Sequence, residues 1–348
     1  MAGLSYRERT DAALWSDVPE NVLHVAVDAF RASSGDLLMV WGELVQYLGR
    51  QPAEVRARLL EAVPAVYEKA PTGSALQLGL LHLGVVLGEG LPADIMVAER
   101  IEAVATMEDR WCVQHHALLY LARAELTAGR RLSPAVVATV RRTAQLIGDP
   151  GWAALAARLT DPVLNAGERW AEAALADILV SGPAWCAILS HAATARAAKP
   201  TAKWRRTAGA LIADVGEAAV RERVLSWLSS AGQGRSRPLI EKTTDVWVAV
   251  NEQFDPFNAD ALRGLVWLLS FLPPDEDTVL ALGSLVDTCL VVVPGHGPRN
   301  VKVANAAVHA LARIGDRDAL DELRRLAERT RYRGTLRLID AALASHGG

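Results

Sequence analysis

The sequence predicts an all-α chain, a right-handed solenoid of irregular two-helix repeats. Three observations carry that prediction. Apolar residues recur at helical spacing almost everywhere. In "NVKVANAAVHALARIGD", for example, Val303, Ala306, Ala307, Ala310, Leu311 and Ile314 fall on one helix face. Helix stops recur as Gly or Pro followed by an acidic or hydroxyl residue, in "LGEGLP", "TAGRRLSP", "LIGDPG", "SSAGQGRSRP" and "FLPPDED". No stretch alternates apolar and polar residues in the manner of a half-buried strand. The pattern yields about eighteen helices of about 12 to 20 residues joined by short turns.

The elements follow in order. Residues 1–16 form a lead-in, residues 17–182 an N-terminal set of helical repeats, and residues 183–348 a C-terminal set continuous with the first. Three segments share one turn: "AQLIGDPGWAAL", "LIADVGEAAVRERVLSWL" and "LARIGDRDALDELRRLA". In each, a glycine (Gly148, Gly216, Gly315) suits the left-handed position that closes a helix. The acid after it (Asp149, Glu217, Asp316) suits the positive end of the next helix. Tryptophan spacings of 41 (Trp111–Trp152), 42 (Trp185–Trp227), 43 (Trp204–Trp247) and 40 residues (Trp227–Trp267) match a two-helix repeat. The glycine turns lie 68 and 99 residues apart, so the array is irregular. The ten tryptophans, about one per helix, read as inter-repeat core.

Composition narrows the function classes. Hydrophobic residues make up 51% of the chain, enough to build a core, and the net charge of −3 gives no global attraction to nucleic acid or anionic membrane. Cys112, Cys186 and Cys289 lie far apart in apolar runs and read as small core residues rather than a disulfide framework or zinc site. The first twenty residues lack an apolar signal-peptide core, and the apolar stretches are interrupted by His82, Glu89 and Asp287. The expectation is a cytoplasmic protein without a membrane span.

The segment "IGDRDALDELRRLAERTRYRGTLRLIDAALA" resembles a HEAT or armadillo-like repeat. Residues 199–344, with "KPTAKWRR", "NADALRGLVWLLS", "VPGHGPRNVKVANAAVHALARI" and "RYRGTLRLIDAAL", are similar to a helical region of large bacterial proteins described as molybdate-metabolism-regulator-like. The resemblance implies a fold more than an activity. The proteins it points to usually carry a further C-terminal domain, whose activity does not transfer.

Two stretches are candidates for binding. In "VVVPGHGPRN", residues 291–300, the spacing predicts a turn between two helices, with Pro298 near a first helical turn. The N–H groups of residues 299–302, with Arg299, Lys302 and His296, would form an anion site there. The loop lacks the GK[ST] of a phosphate-binding loop and follows no strand. In "KPTAKWRR", Pro200 predicts a helix start, and Lys199, Lys203 and Trp204 sit where cations are mildly unfavourable. Three of only five lysines, Lys199, Lys203 and Lys302, fall in these motifs, and Arg263 lies in another. Together they form a candidate basic rim for phosphate, acidic peptide or nucleic acid; a plain solvated turn over a buried Trp204 is the other reading.

His115 and His116 are adjacent and point about 100° apart on a helix, which does not chelate a metal. The acidic runs at 255–260 and 275–278 read as helix caps. No catalytic motif stands out, and no cofactor is expected. The expectation is a non-catalytic scaffold for a protein or peptide partner. A second reading is a nucleic-acid-binding or base-processing protein with a basic concave face. A third is an accessory enzyme with a loop-borne site.

Overall fold

The computed structural model describes residues 6–16, 18–32, 37–92, 94–242 and 246–346. Among them are eighteen helices of 9 to 16 residues, shorter than the sequence pattern suggested. The chain divides into two compact units. The first comprises Met1–Met107 and Gln114–Ser133, and the second Glu108–Val113 and Pro134–Gly348.

The first unit holds α1 (Tyr6–Trp15), α2 (Pro19–Ala32), α3 (Leu37–Gly49), α4 (Ala53–Glu68), α5 (Ala75–Leu87), α6 (Val97–Ala105) and α7 (His116–Thr127). Helix α2 packs on α1, α3 and α4, and α5 packs on α3, α4 and α7. Leu23, Leu48, Leu59, Val63, Leu80, Leu83 and Leu87 form its core. Gly79 lets the Trp41 ring approach: a Cβ there would lie 3.1 Å from it. Trp41 in turn meets Phe30 edge-on at 5.0 Å.

The second unit holds α8 (Pro134–Ile147), α9 (Pro150–Arg158), α10 (Arg169–Ser181), α11 (Pro183–Ala192), α12 (Ala202–Val215) and α13 (Glu217–Ser229). These are followed by β1 (Ile240–Lys242), β2 (Trp247–Ala249), α14 (Pro256–Leu269), α15 (Glu276–Leu290), β3 (Val292–Val293), β4 (Gly297–Pro298), α16 (Val301–Ile314), α17 (Arg317–Arg329) and α18 (Arg333–His346). Helix α14 is the hub, packed on α8, α11, α13 and α16. It is buried on every side over Ala261–Leu269, the mark of an interior helix. At Gly264 it meets the backbone of Ala192, where a Cβ would lie 2.3 Å from the carbonyl oxygen.

The shared turn takes the expected form at Gly315 and departs from it at Gly216. Gly148, Gly216 and Gly315 all have positive φ; Gly315, at φ 64° and ψ 10°, is left-handed helical, whereas Gly216, with ψ 135°, is not. Asp149 accepts the amide of Trp152 and Asp316 that of Ala319, each capping the following helix. Asp255 and Asp275 cap α14 and α15 in the same way.

Some expectations need correction. Two antiparallel ribbons exist, β1–β2 and β3–β4. The segment at Asp109–Trp111 runs beside β1, with Trp111 N donating to Ile240 O and Ile240 N to Asp109 O. Such ribbons are too short for the alternation test to register. Of the cysteines, only Cys289 is core; Cys112 is half-buried outside any helix, and Cys186 is exposed on α11. Trp15 and Trp247 are exposed, while seven of the ten tryptophans are buried. Residue 182, across which the repeats were expected to run continuously, lies inside the second unit. There the Trp185 ring on α11 packs edge-on against Trp227 at 5.6 Å, so the core continues through the Gly182–Pro183 break. Residues 108–113 belong to that unit because the buried guanidinium of Arg142 takes the carbonyls of Arg110 and Trp111.

Candidate functional site

The basic residues singled out in the sequence are organised by α11, α12, α14 and α16. Arg263 on α14 is buried and donates to the carbonyls of Ala195 (2.7 Å) and Ala197 (3.3 Å). It therefore ties the α11–α12 connection, which presents Lys199, to the central helix. Asp260 lies 3.5 Å from the same guanidinium. Burial lowers the pKa of Arg263 and raises that of Asp260; the charges of Arg263, Arg196 and Lys302 hold the latter down in part.

Helix α12 starts at Ala202, one residue beyond Thr201, whose hydroxyl accepts the amide of Trp204. Lys203 is exposed in the first turn. Trp204 is buried, stacked on His191 at 4.4 Å and edge-on to Trp267 at 5.0 Å. Its Nε1 donates to Thr194 Oγ1. His191 donates Nε2–H to the Trp204 carbonyl, and burial pushes its pKa down.

Helix α16 contributes a stripe. Lys302, His309 and Arg313 stand at i, i+7 and i+11, one face of the helix over about 16 Å. Burial lowers the pKa of His309, and the charge of Lys199 lowers it further. The charge of Lys199 thus acts on His309, and that of Lys302 on Asp260.

At the far end of the stripe a surface groove of about 410 Å³ is lined by Ala202, Arg205, Arg206, Gly209, Phe271 and Arg313. Three guanidinium groups line it and no carboxylate does. Arg205 and Arg206 are exposed, and Gly209 leaves its side of the groove open. Arg313 is fixed by a hydrogen bond from Nε to Ser270 O (3.2 Å) and by the Phe271 ring, 4.9 Å from its guanidinium carbon. Sequence reading missed Arg313 and held Arg205 and Arg206 only as the end of "KPTAKWRR", because arginine is abundant in this chain. The available signal was the spacing of Lys302, His309 and Arg313.

The histidine loop does not open the helix. It is the hairpin β3–β4, and Pro298 sits in β4. His296 N donates to Val293 O, and Gly295 follows Pro294 with φ 78°, the pattern of a type II turn. The amides of Arg299 and Asn300 bond to the carbonyls of Val291 and Cys289, and Asn300 caps α16. Two of the four N–H groups expected to face outward are thereby taken. The Arg299 side chain is likewise held, by Gly232 O (3.2 Å) and Glu252 (3.1 Å). His296 is exposed at the tip of the hairpin.

A buried polar network links α8, the start of α10 and the start of α14. Asp255 joins Arg142, Asn165 and its own capped amides; Glu168 accepts from Asp255 N, Trp170 Nε1 and Asn258 Nδ2. Its members come from sequence positions far apart, so no local spacing marks them. Among the described residues no group of three His, Cys, Asp or Glu side chains is placed to hold a metal ion, and no helix is long and apolar enough to cross a membrane. No protein-family model, curated protein or solved structure matches the chain.

Proposed function

We propose that the chain is a non-catalytic, HEAT-like helical-repeat scaffold, a right-handed solenoid acting in the cytoplasm, that binds an acidic polypeptide segment. The observation that carries this reading is the carboxylate-free groove of Arg205, Arg206 and Arg313, continued by His309, Lys199 and Lys302. Stacked helix pairs present long surfaces suited to extended partners. Guanidinium groups pair with carboxylates in a two-pronged geometry that lysine does not offer. A peptide is favoured over single-stranded nucleic acid, because bases need exposed aromatic faces. The nearby rings of Trp204 and Trp267 are buried and packed against each other.

The test is fluorescence anisotropy with an aspartate- and glutamate-rich peptide, its amidated counterpart and a single-stranded oligonucleotide of equal charge. Salt-sensitive binding of the acidic peptide, lost on Arg205→Glu/Arg206→Glu, is expected. Equal binding of the amidated peptide, or preference for the oligonucleotide, overturns the reading.

A further inference from the structure

Arg205 and Arg206 on α12 and Arg313 on α16 line one groove, and among the described residues none of the three guanidinium groups is paired with a carboxylate. By contrast Arg196, Arg263 and Arg299 of the same unit each lie within 3.7 Å of a carboxylate, that of Asp260 or Glu252. Arg313 Nε donates to Ser270 O, and the Phe271 ring packs against its guanidinium. Phe271 in turn packs on the buried Trp204 ring, 6.1 Å away. Nη1 and Nη2 of Arg313 are thereby presented at a fixed place with no acceptor of their own among the described residues.

Arg205 and Arg206 follow Lys203 in the first turns of α12, a helix with no acidic residue in its first turn. Cations there oppose the helix dipole, and an anion held against them offsets that opposition.

The number of donors sets the class of anion. A carboxylate has two oxygens and one charge, and a single fork-shaped guanidinium satisfies it. Three guanidinium groups without a carboxylate match a group with three terminal oxygens and close to two negative charges, which is a phosphate monoester. The groove, at about 410 Å³, admits such a group together with the side chain that carries it. The flanks are basic as well. Lys203 precedes Arg206 by three residues on α12, and His309 precedes Arg313 by four on α16, where the charge of Lys199 acts on it.

We propose that this groove anchors a phosphoserine or phosphothreonine side chain within an acidic polypeptide segment. The proposal rests on the acidic-peptide reading above and narrows it. Anisotropy is measured on the full-length protein with three peptides that share acidic flanks. One carries a central phosphoserine, one a central serine, and one has aspartates added until its net charge equals that of the phosphopeptide. The phosphopeptide is expected to bind about tenfold tighter than the charge-matched peptide, and tighter still than the serine peptide. Arg205→Lys/Arg206→Lys/Arg313→Lys keeps the charge of the groove and removes the forks, and should bring the phosphopeptide and its charge-matched counterpart to equal affinity. Equal binding of those two by the parent overturns the phosphate anchor and leaves the acidic-peptide reading standing; binding of neither overturns both. An undiminished preference in the lysine variant places the phosphate outside the groove and overturns the site. Free O-phosphoserine that binds as tightly as the phosphopeptide overturns the polypeptide source, because the acidic flanks then contribute nothing.

Discussion

Arg142 Nη1 lies 2.8 Å from Asp255 Oδ2, with both side chains almost fully buried, and this pair joins α8 to the cap of α14. The other donors of the same guanidinium take the carbonyls of Arg110 and Trp111 and the hydroxyl of Thr139. One side chain thereby anchors a non-helical segment, a helix and a helix terminus. Asp255→Ala leaves the guanidinium buried without its carboxylate and removes the cap of α14. The expected loss is about 3 to 5 kcal/mol, read from urea unfolding. Arg142→Leu/Asp255→Ala should cost less than the sum of the two single changes, because neither charge is then stranded. Strict additivity would show that the pair is not coupled.

Arg205 and Arg206 are exposed, and Arg313 is held by Ser270 O and the Phe271 ring. Arg205→Ala/Arg206→Ala should therefore change unfolding free energy by no more than about 0.5 kcal/mol per site. The same change should weaken acidic-peptide binding and flatten its dependence on salt. Calorimetric melting and anisotropy on one preparation separate the two effects. A large fall in stability would make these arginines structural instead.

Trp227 is fully buried, its Nε1 donates to Asp177 at 2.7 Å, and its ring meets that of Trp185. Trp227→Ala should cost about 3 to 5 kcal/mol. Trp247 is 51% exposed in β2, under the Arg110 guanidinium at 3.7 Å. Trp247→Ala should cost about 1 kcal/mol or less, the worth of an exposed cation–π contact. Comparable losses at the two positions would mean that the ribbon, too, is part of the core.

That contrast marks how far the sequence could be read. Helical periodicity and the Gly–Asp turns are local, so α8–α9 and α16–α17, with caps at Asp149 and Asp316, were legible residue by residue. Trp247 looked like any other tryptophan in an apolar run, and only the pairing of β2 with β1 shows that it lies on a ribbon. Lys199 and Lys302 were visible as scarce cations, but the placement of Lys199 depends on Arg263 holding the α11–α12 connection against α14. Arg263 itself was read as part of the rim, yet it is buried behind it. Two of the partners of Glu168, Asp255 and Asn258, lie about ninety residues away along the chain, and contacts of that kind leave no periodic trace.

His82 supplies a pH-dependent test within the first unit. It is 7% exposed on α5 and stacks on Tyr120 of α7 at 4.3 Å. Burial, and next the charge of His116, lower its pKa from 6.5 to about 4. The folded protein thus holds His82 neutral over a range in which the unfolded chain protonates it. Its contribution to stability is complete above pH 6.5 and declines as the pH falls toward 4, by about 3 kcal/mol in all. Glu168 acts in the opposite sense: its raised carboxyl pKa favours the folded state below pH 4.5, an advantage lost as pH rises through 7. The two are separated by a single substitution. His82→Phe keeps a flat ring beside Tyr120 and carries no titrating group. Urea unfolding of parent and variant is measured at half-unit steps from pH 7.5 to 4.5. The stability difference, variant minus parent, should be flat above pH 6.5 and grow in favour of the variant below it. A difference that stays constant across the series would show that His82 takes up its proton as readily in the folded protein as in the unfolded chain.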